Sequence, residues 1–409
     1  MRRRPPASWW NFLNRGLENS SINGSPGTSF KTLRIAFITP FFPLKGGIAR
    51  FSGLLIEAFR QSGYAVIPVA FRALYPPFLT RGRAKSAHSA EKTVQPETRL
   101  TLYNPVTWFK AIRRLRRLQP DLLLVSYWTG FLAPLCCALR YFTGIRVVVL
   151  LHNFSSHESF FFEPFMQRVL IASADGFLTL SAAVSRELLT AFPEARVRQL
   201  FHPVYEPEAE QPAREDARKL LQLEAAAPVL LFFGYVRPYK GLDMLLRALP
   251  ALLHREPSLK LVVAGEFFED PEHYRSLIRE LGISGCVDMY EGYVSTDLSA
   301  LLFAAADCVV LPYRHATQSG VVQQAYGYGR PVIVTPEGAL PDMVRHGFTG
   351  WIARESSAEG VAAAAGEFLD GRGELPAMHA AIAEFSRQFS WEAFAAAAGS
   401  FLEAEAART

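Results

Sequence analysis

From residue 33 onward, short β-rich apolar runs alternate with amphipathic helical patterns, and this alternation admits little besides parallel sheets with crossover helices. The first unit is explicit. "LRIAFIT" reads as a buried strand, "PFFPLKGG" as a loop, and "IARFSGLLIEAFRQSG" as a helix with Ile48, Phe51, Leu55 and Phe59 on one face and Gly63 as its stop. "YAVIPVAF", "DLLLVSYW", "RVVVLLHN", "GFLTLS" and "VRQLF" continue the pattern, so residues 31–203 form one predicted Rossmann-like domain. The proline- and acid-rich segment around "HPVYEPEAEQPARED" breaks it, and residues 204–228 are read as an interdomain linker leading into a helix. "VLLFFGY", "KLVVAGE", "CVDMYEGY", "CVVLPY", "PVIVTP" and "GWIA" then restart the alternation as a second domain, 229–385. Residues 386–409 are expected to be a helix packing back toward the first domain. With 409 residues there is chain enough for two filled cores. Two such domains facing each other imply a ligand cleft.

Several classes drop out. No apolar run reaches the ~18 residues expected of a membrane-spanning helix. The arginine-rich start, residues 1–30, lacks the continuous apolar centre and small-residue cleavage site of a secretory signal and is read as a disordered basic segment. Four scattered cysteines do not make a disulfide framework, so a reducing, cytoplasmic compartment is expected. A net charge of +5 is modest for this length and does not argue for nucleic acid. Its distribution says more, because "FKAIRRLRRLQP" gathers Lys110, Arg113, Arg114, Arg116 and Arg117 on one helical stretch. Both a solvated helix face and attraction to anionic lipid headgroups fit that stretch. Arg2, Arg3 and Arg4 with Trp9, Trp10 and Phe12 extend the lipid reading to the inner face of the membrane.

In an open parallel sheet, ligands sit beyond the carboxyl ends of the strands, where loops and helix N-termini converge. Arg237 and Lys240 in "GYVRPYKGLDMLLRAL" occupy such a turn, between an apolar strand and a helix with a stripe of Leu242, Leu245, Leu246 and Leu249. A helix start favours an anion, and two cations beside it favour a diphosphate; incidental exposed charges are the alternative. A second strand–loop–helix unit, "LPYRHATQSGVVQQAYGYGRPVIVT", places Thr317, Ser319 and Gly320 at a helix start, where small residues let amides approach phosphate oxygens. Ordinary capping by Thr317 or Ser319 is compatible with that role. No Asp-x-Asp pair suited to a divalent ion at a diphosphate and no zinc-spaced Cys/His cluster is present, so no metal or cofactor is expected.

Together these motifs resemble retaining glycosyltransferase family 4, the sugar-nucleotide-dependent enzymes of the α/β GT-B fold, in which two Rossmann-like domains face each other across a cleft. The likeness runs through "PFFPLKGGIARF", "LLHNFSSHE", "GYVRPYKGLDMLLRAL", "VVAGE", "SGVVQQAYGYGRPVIVT" and "GALPDMVRHGFTGW" in that order. It implies that Arg237 and Lys240 neutralise the donor diphosphate beside Gly234. It further implies that Gly46 and Gly47 lie near that diphosphate and the acceptor, that His152 bonds the transferred sugar, and that the backbone at Tyr293 and Val294 holds the base. The implied partners are a nucleoside-diphosphate sugar donor and a glycan or lipid-linked acceptor. The family's pair of glutamates is replaced by Ala316 and Gln324; Gln324 retains hydrogen-bonding capacity toward a ribose, whereas Ala316 has none. The resemblance implies front-face attack with retention and without a carboxylate nucleophile, and Glu158 is read as an exposed loop acid. A catalytically silent GT-B binding protein and a sugar-nucleotide epimerase stand as the other readings, although an epimerase needs a cleft acid–base pair that the sequence does not display.

Overall fold

The computed structural model describes residues 32–41, 44, 46–73, 96–155, 161–317 and 319–408. The basic N-terminal segment with Trp9, Trp10 and Phe12, and Glu158, lie outside the described residues. The first sheet is formed by β1 (Arg34–Thr39), β2 (Ala65–Ala73), β3 (Thr98–Thr101), β4 (Leu122–Tyr127), β5 (Val147–Leu151), β6 (Gly176–Thr179) and β7 (Val197–Gln199). Its crossover helices are α1 (Gly47–Gln61), α2 (Pro105–Leu118), α3 (Ala133–Thr143), α4 (Glu163–Ser173) and α5 (Ala182–Ala191). α6 (Arg214–Leu220) leads into the second sheet, β8 (Val229–Phe233), β9 (Lys260–Gly265), β10 (Val287–Glu291), β11 (Cys308–Leu311), β12 (Val332–Val334) and β13 (Gly350–Ile352). Around that sheet run α7 (Leu242–Arg255), α8 (Pro271–Glu280), α9 (Thr296–Ala305), α10 (Gly320–Gly327), α11 (Ala358–Asp370), α12 (Leu375–Arg387) and α13 (Trp391–Ala407).

Both sheets are parallel, in the orders β3-β2-β1-β4-β5-β6-β7 and β10-β9-β8-β11-β12-β13. Strand order therefore reverses between β1 and β4 in one sheet and between β8 and β11 in the other, and crevices for ligands open at such switch points. The continuous apolar character of the strands follows from burial on both faces. In the first sheet Ile38, Val125 and Val149 join one core layer, while Phe37, Leu124 and Val148 join the other. β3 was not among the predicted strands, because a four-residue edge segment, "TRLT", carries no apolar run.

The chain crosses back at its end. α13 places Phe394, Ala398 and Leu402 in the same core layer as Phe37, Phe51 and Leu55 of the first domain. There the buried Glu405 accepts from Arg196 at 2.6 Å. Residues 204–228 lead into a helix, α6, as expected, but they also contribute Val204, Ala217 and Leu223 to the second domain's core. The reason is Arg218, 1% exposed. Its guanidinium donates to Asp307 at 2.7 Å and to the carbonyls of Ala305, Ala225 and Ala227 at 3.0, 2.8 and 2.7 Å. Asp307 in turn accepts from the Val229 amide that opens β8. A buried cation is tolerated only when its donors are met in this way.

Candidate active site

After β8 the backbone turns at Gly234, with φ +97°, and Arg237 precedes a 3-10 turn, Pro238–Lys240, that runs directly into α7. Lys240 is 8% exposed, and its ammonium lies 5.2 Å from the centre of the Tyr313 ring. Gly234 lies beside Lys240 Nζ and Val321 of α10, and its left-handed backbone is what requires a glycine there. Burial pulls the pKa of Lys240 below that of an ordinary lysine; Tyr239 opposes the shift and Arg237 adds to it. Among the described residues neither cation has a carboxylate partner, and Arg237 stacks at 4.1 Å over the Phe268 ring. A desolvated ammonium beside a second cation is a strong anion site, because an incoming phosphate relieves the cost of both.

Arg314, which the sequence reading did not single out, braces this turn. Its amide donates to the Tyr239 carbonyl at 2.7 Å, and its guanidinium donates to the Pro238 carbonyl at 3.0 Å and to both Asp243 oxygens at 2.8 and 2.7 Å. Gly241, with φ +65°, fits against the Pro312 carbonyl where any Cβ would collide. The loops after β8 and β11 are thus locked together at the switch point of the second sheet. A fork of this kind is bidentate and directional.

The β11 loop meets the first domain. Thr317 donates its hydroxyl to Asn153 Oδ1 at 2.5 Å, and its carbonyl accepts from Ser181 at 3.0 Å. Asn153 and Ser181 follow β5 and β6, so the carboxyl edges of the two sheets face each other here. Ser319 occupies the N-cap position of α10 without capping it; its hydroxyl engages Tyr313. Among the described residues neither Thr317 nor Ser319 caps the helix, contrary to the capping alternative, and no side chain is seen to cap the first amides of α10. Gln324 is half-buried on α10, next to the buried Gln323. Ala316 is partly buried, with its carbonyl packed against Gly338.

On the first domain Gly46, φ +129°, precedes α1 as its N-cap residue, with the exposed Gly47 as the first residue of the helix. His152 follows β5 and is 3% exposed; its amide donates to the Tyr127 carbonyl at 2.8 Å and its ring meets Phe51 edge-on at 5.3 Å. Burial, with a smaller effect from His202, lowers its pKa to about 3. His202 is a second buried histidine that sequence reasoning passed over as linker. It touches the opposite edge of Phe51 at 5.3 Å and faces Gly320 of α10. Its Nδ1–H donates to the Pro203 carbonyl at 3.0 Å, leaving Nε2 as an acceptor, and burial lowers its pKa to about 4. Its position just past the β7 edge is the same signal that drew attention to His152. Tyr293 is exposed beyond β10 and near Tyr235, whereas Val294 packs partly buried against the second core. Arg237, Lys240, Gly234, Ser319 and Gly320 therefore converge around one space with His152 across the cleft, while Tyr293 and Val294 flank it on the β10 side.

Comparison with known proteins places this geometry in a class. Residues 45–204 match the family described as Glycosyltransferase Family 4, and residues 227–371 match Glycosyl transferases group 1. Sucrose-phosphate synthase from Thermosynechococcus elongatus superposes with a TM-score of 0.71 at 19% identity, covering 91% of this chain and 98% of that one. Anabaena HepE, solved with UDP and glucose, superposes with a TM-score of 0.69 at 17% identity, covering 91% and 100%. The fold is GT-B. In sequence, the D-inositol 3-phosphate glycosyltransferase 1 of Catenulispora acidiphila is 34% identical over 194 residues, which is 45% of this chain and 46% of that protein. A D-inositol 3-phosphate glycosyltransferase of Streptomyces scabiei is 31% identical over 225 residues, 52% and 50% respectively. The chain thus spans about half the length of these relatives or less. It has the GT-B fold, and its two halves are similar to the family 4 and group 1 glycosyltransferase families.

Proposed function

We propose that this protein transfers a sugar from a nucleoside-diphosphate sugar to a glycan or lipid-linked acceptor, with retention of configuration and without a metal. The observation that carries the reading is the buried Lys240 ammonium beside Arg237 at the uncapped start of α10. Cleaving the anomeric C–O bond leaves charge on the β-phosphate, and fixed cations with free amides stabilise charge where it grows. The acceptor oxygen attacks the anomeric carbon from the same face, and its proton passes to the departing phosphate oxygen. Neutral His152 serves as a hydrogen-bond partner to the sugar, since its depressed pKa keeps it uncharged at working pH. Synthesis of a cell-surface polysaccharide or glycolipid at the inner membrane face is the setting that suits a lipid-linked acceptor.

A nucleotide-sugar screen read by thermal shift, beginning with UDP-glucose, tests donor binding, because a ligand of the folded state raises its stability with affinity. Transfer to acceptor is then assayed with and without EDTA. Loss of turnover in EDTA with rescue by magnesium would overturn metal independence. The second reading, a catalytically silent binding protein, is favoured by one feature, Ala316 at the first glutamate position. Tight donor binding with no turnover toward any acceptor would select it.

A further inference from the structure

The outer side of the first domain carries an apolar face that its own core does not use. On α3 Cys137 and Tyr141, four residues apart, share a face, and Phe131 lies in the turn before the helix; Phe131 and Tyr141 are 46% and 79% exposed. Phe142, 41% exposed, meets Tyr141 at 5.1 Å and Phe109 of α2 at 5.3 Å; Phe109 is itself 54% exposed. An exposed aromatic ridge of this extent marks an interaction surface. Its flank decides the partner. Lys110, Arg113, Arg114, Arg116 and Arg117 are all exposed on α2, and neither α2 nor α3 contains an acidic residue. Among the described residues only Arg114 of these five has an ion-pair partner, Glu97 at 2.9 Å. Aromatic rings beside unneutralised cations match the boundary of an anionic bilayer, where rings enter the headgroup layer and each cation gains from the surface potential. The ridge also begins at the cleft: Phe131 follows β4, whose last residue, Tyr127, accepts the amide of His152.

We infer that the α2–α3 face docks on an anionic lipid bilayer and that a lipid-linked acceptor enters the cleft past Phe131. The second clause rests on the proposed transfer reaction; the docking does not. The test is co-sedimentation of the full chain with vesicles of phosphatidylcholine plus phosphatidylglycerol, against phosphatidylcholine alone, over a salt series. Partition should favour the anionic vesicles and fall as salt rises. Both Tyr141→Asp/Phe142→Asp and Arg116→Glu/Arg117→Glu should lower it about tenfold or more, with thermal unfolding unchanged because all four side chains are exposed. Wild-type partition in the Tyr141→Asp/Phe142→Asp protein would overturn the docking face. So would a concentration-dependent dimer, seen by sedimentation velocity, that the same substitution abolishes, since a second copy would then be the occupant. Lys240→Ala separates the two claims: it should lower transfer about 100- to 1000-fold and partition like wild type. If no donor supports transfer while partition behaves as stated, the docking stands and the reaction falls.

Discussion

The carboxyl edge of the second sheet is braced by a charged arginine–aspartate fork, whereas that of the first joins neutral hydroxyls, histidines and rings. Around Lys240 a bidentate arginine, Arg314, ties the loops after β8 and β11 together, and at the opposite end of the same strands the buried Arg218 ties their starts. Around His152 the contacts are edge-on aromatic, from Phe51 to His152, His202 and Trp391. The difference follows what each edge is built to meet. A diphosphate is recognised by fixed cations, which lose their advantage if the frame lets them drift. A sugar and a greasy acceptor are recognised by neutral hydrogen-bonding groups on an apolar surface.

The comparison breaks first at Lys240. Lys240→Ala and Arg237→Ala should each lower turnover about 100- to 1000-fold, the range seen when a single transition-state charge partner is removed. Steady-state kinetics beside an unchanged thermal unfolding curve check this, and near-normal turnover in both proteins removes the basic turn from the chemistry. Next is the polar frame. Arg218→Ala removes the buried partner of Asp307, to which Arg214 and the Val229 amide still donate, and leaves the Ala305 and Ala227 carbonyls short of a donor, so it should cost about 3 kcal/mol, read as a lowered urea midpoint; Arg218→Lys should recover little, because one ammonium cannot span the same acceptors.

The histidine side of the contrast is sharpened by pH. His152 and His202 have folded pKa values of about 3 and about 4, below the unfolded value near 6.5. The unfolded chain therefore binds more protons in that interval, and stability falls as pH drops from about 6.5 toward those folded values. His202→Gln should remove about 2 kcal/mol of that decline between pH 6.5 and 4.5, measured as a flatter plot of unfolding free energy against pH. An identical slope in the variant means that His202 is not buried neutral. The smallest effect is at Gln324. Gln324→Ala should weaken nucleotide binding by about 1 kcal/mol in calorimetry, and Gln324→Glu should largely preserve it. Unchanged affinity in the alanine protein assigns the residue to packing.

Much of this architecture was readable in advance because it depends on short-range pattern. Twelve of the strands announce themselves as apolar runs, and the helix after the basic turn buries its leucine stripe as its spacing requires. β3 escaped because an edge strand of four residues needs no apolar run. In the 204–228 segment the helix is legible but its place in the second core is not, because prolines and acids imply a break, while a single arginine, Arg218, is enough to draw it in. Arg314 and His202 escaped for a related reason: nothing near either in sequence states what it touches.

Two parallel-sheet domains and a basic turn at a strand end can be read from residue order alone. Periodicity and local residue chemistry act over a few residues, so these features are written locally. Only the tertiary structure decided that Arg314 grips Asp243, 71 residues away, that Arg218 meets Asp307 across 89, and that Thr317 reaches Asn153 across 164. Those pairs form where crossovers bring strand ends together. A side chain's partner across such a distance is set by how the sheets are ordered and faced, which no neighbouring residue encodes.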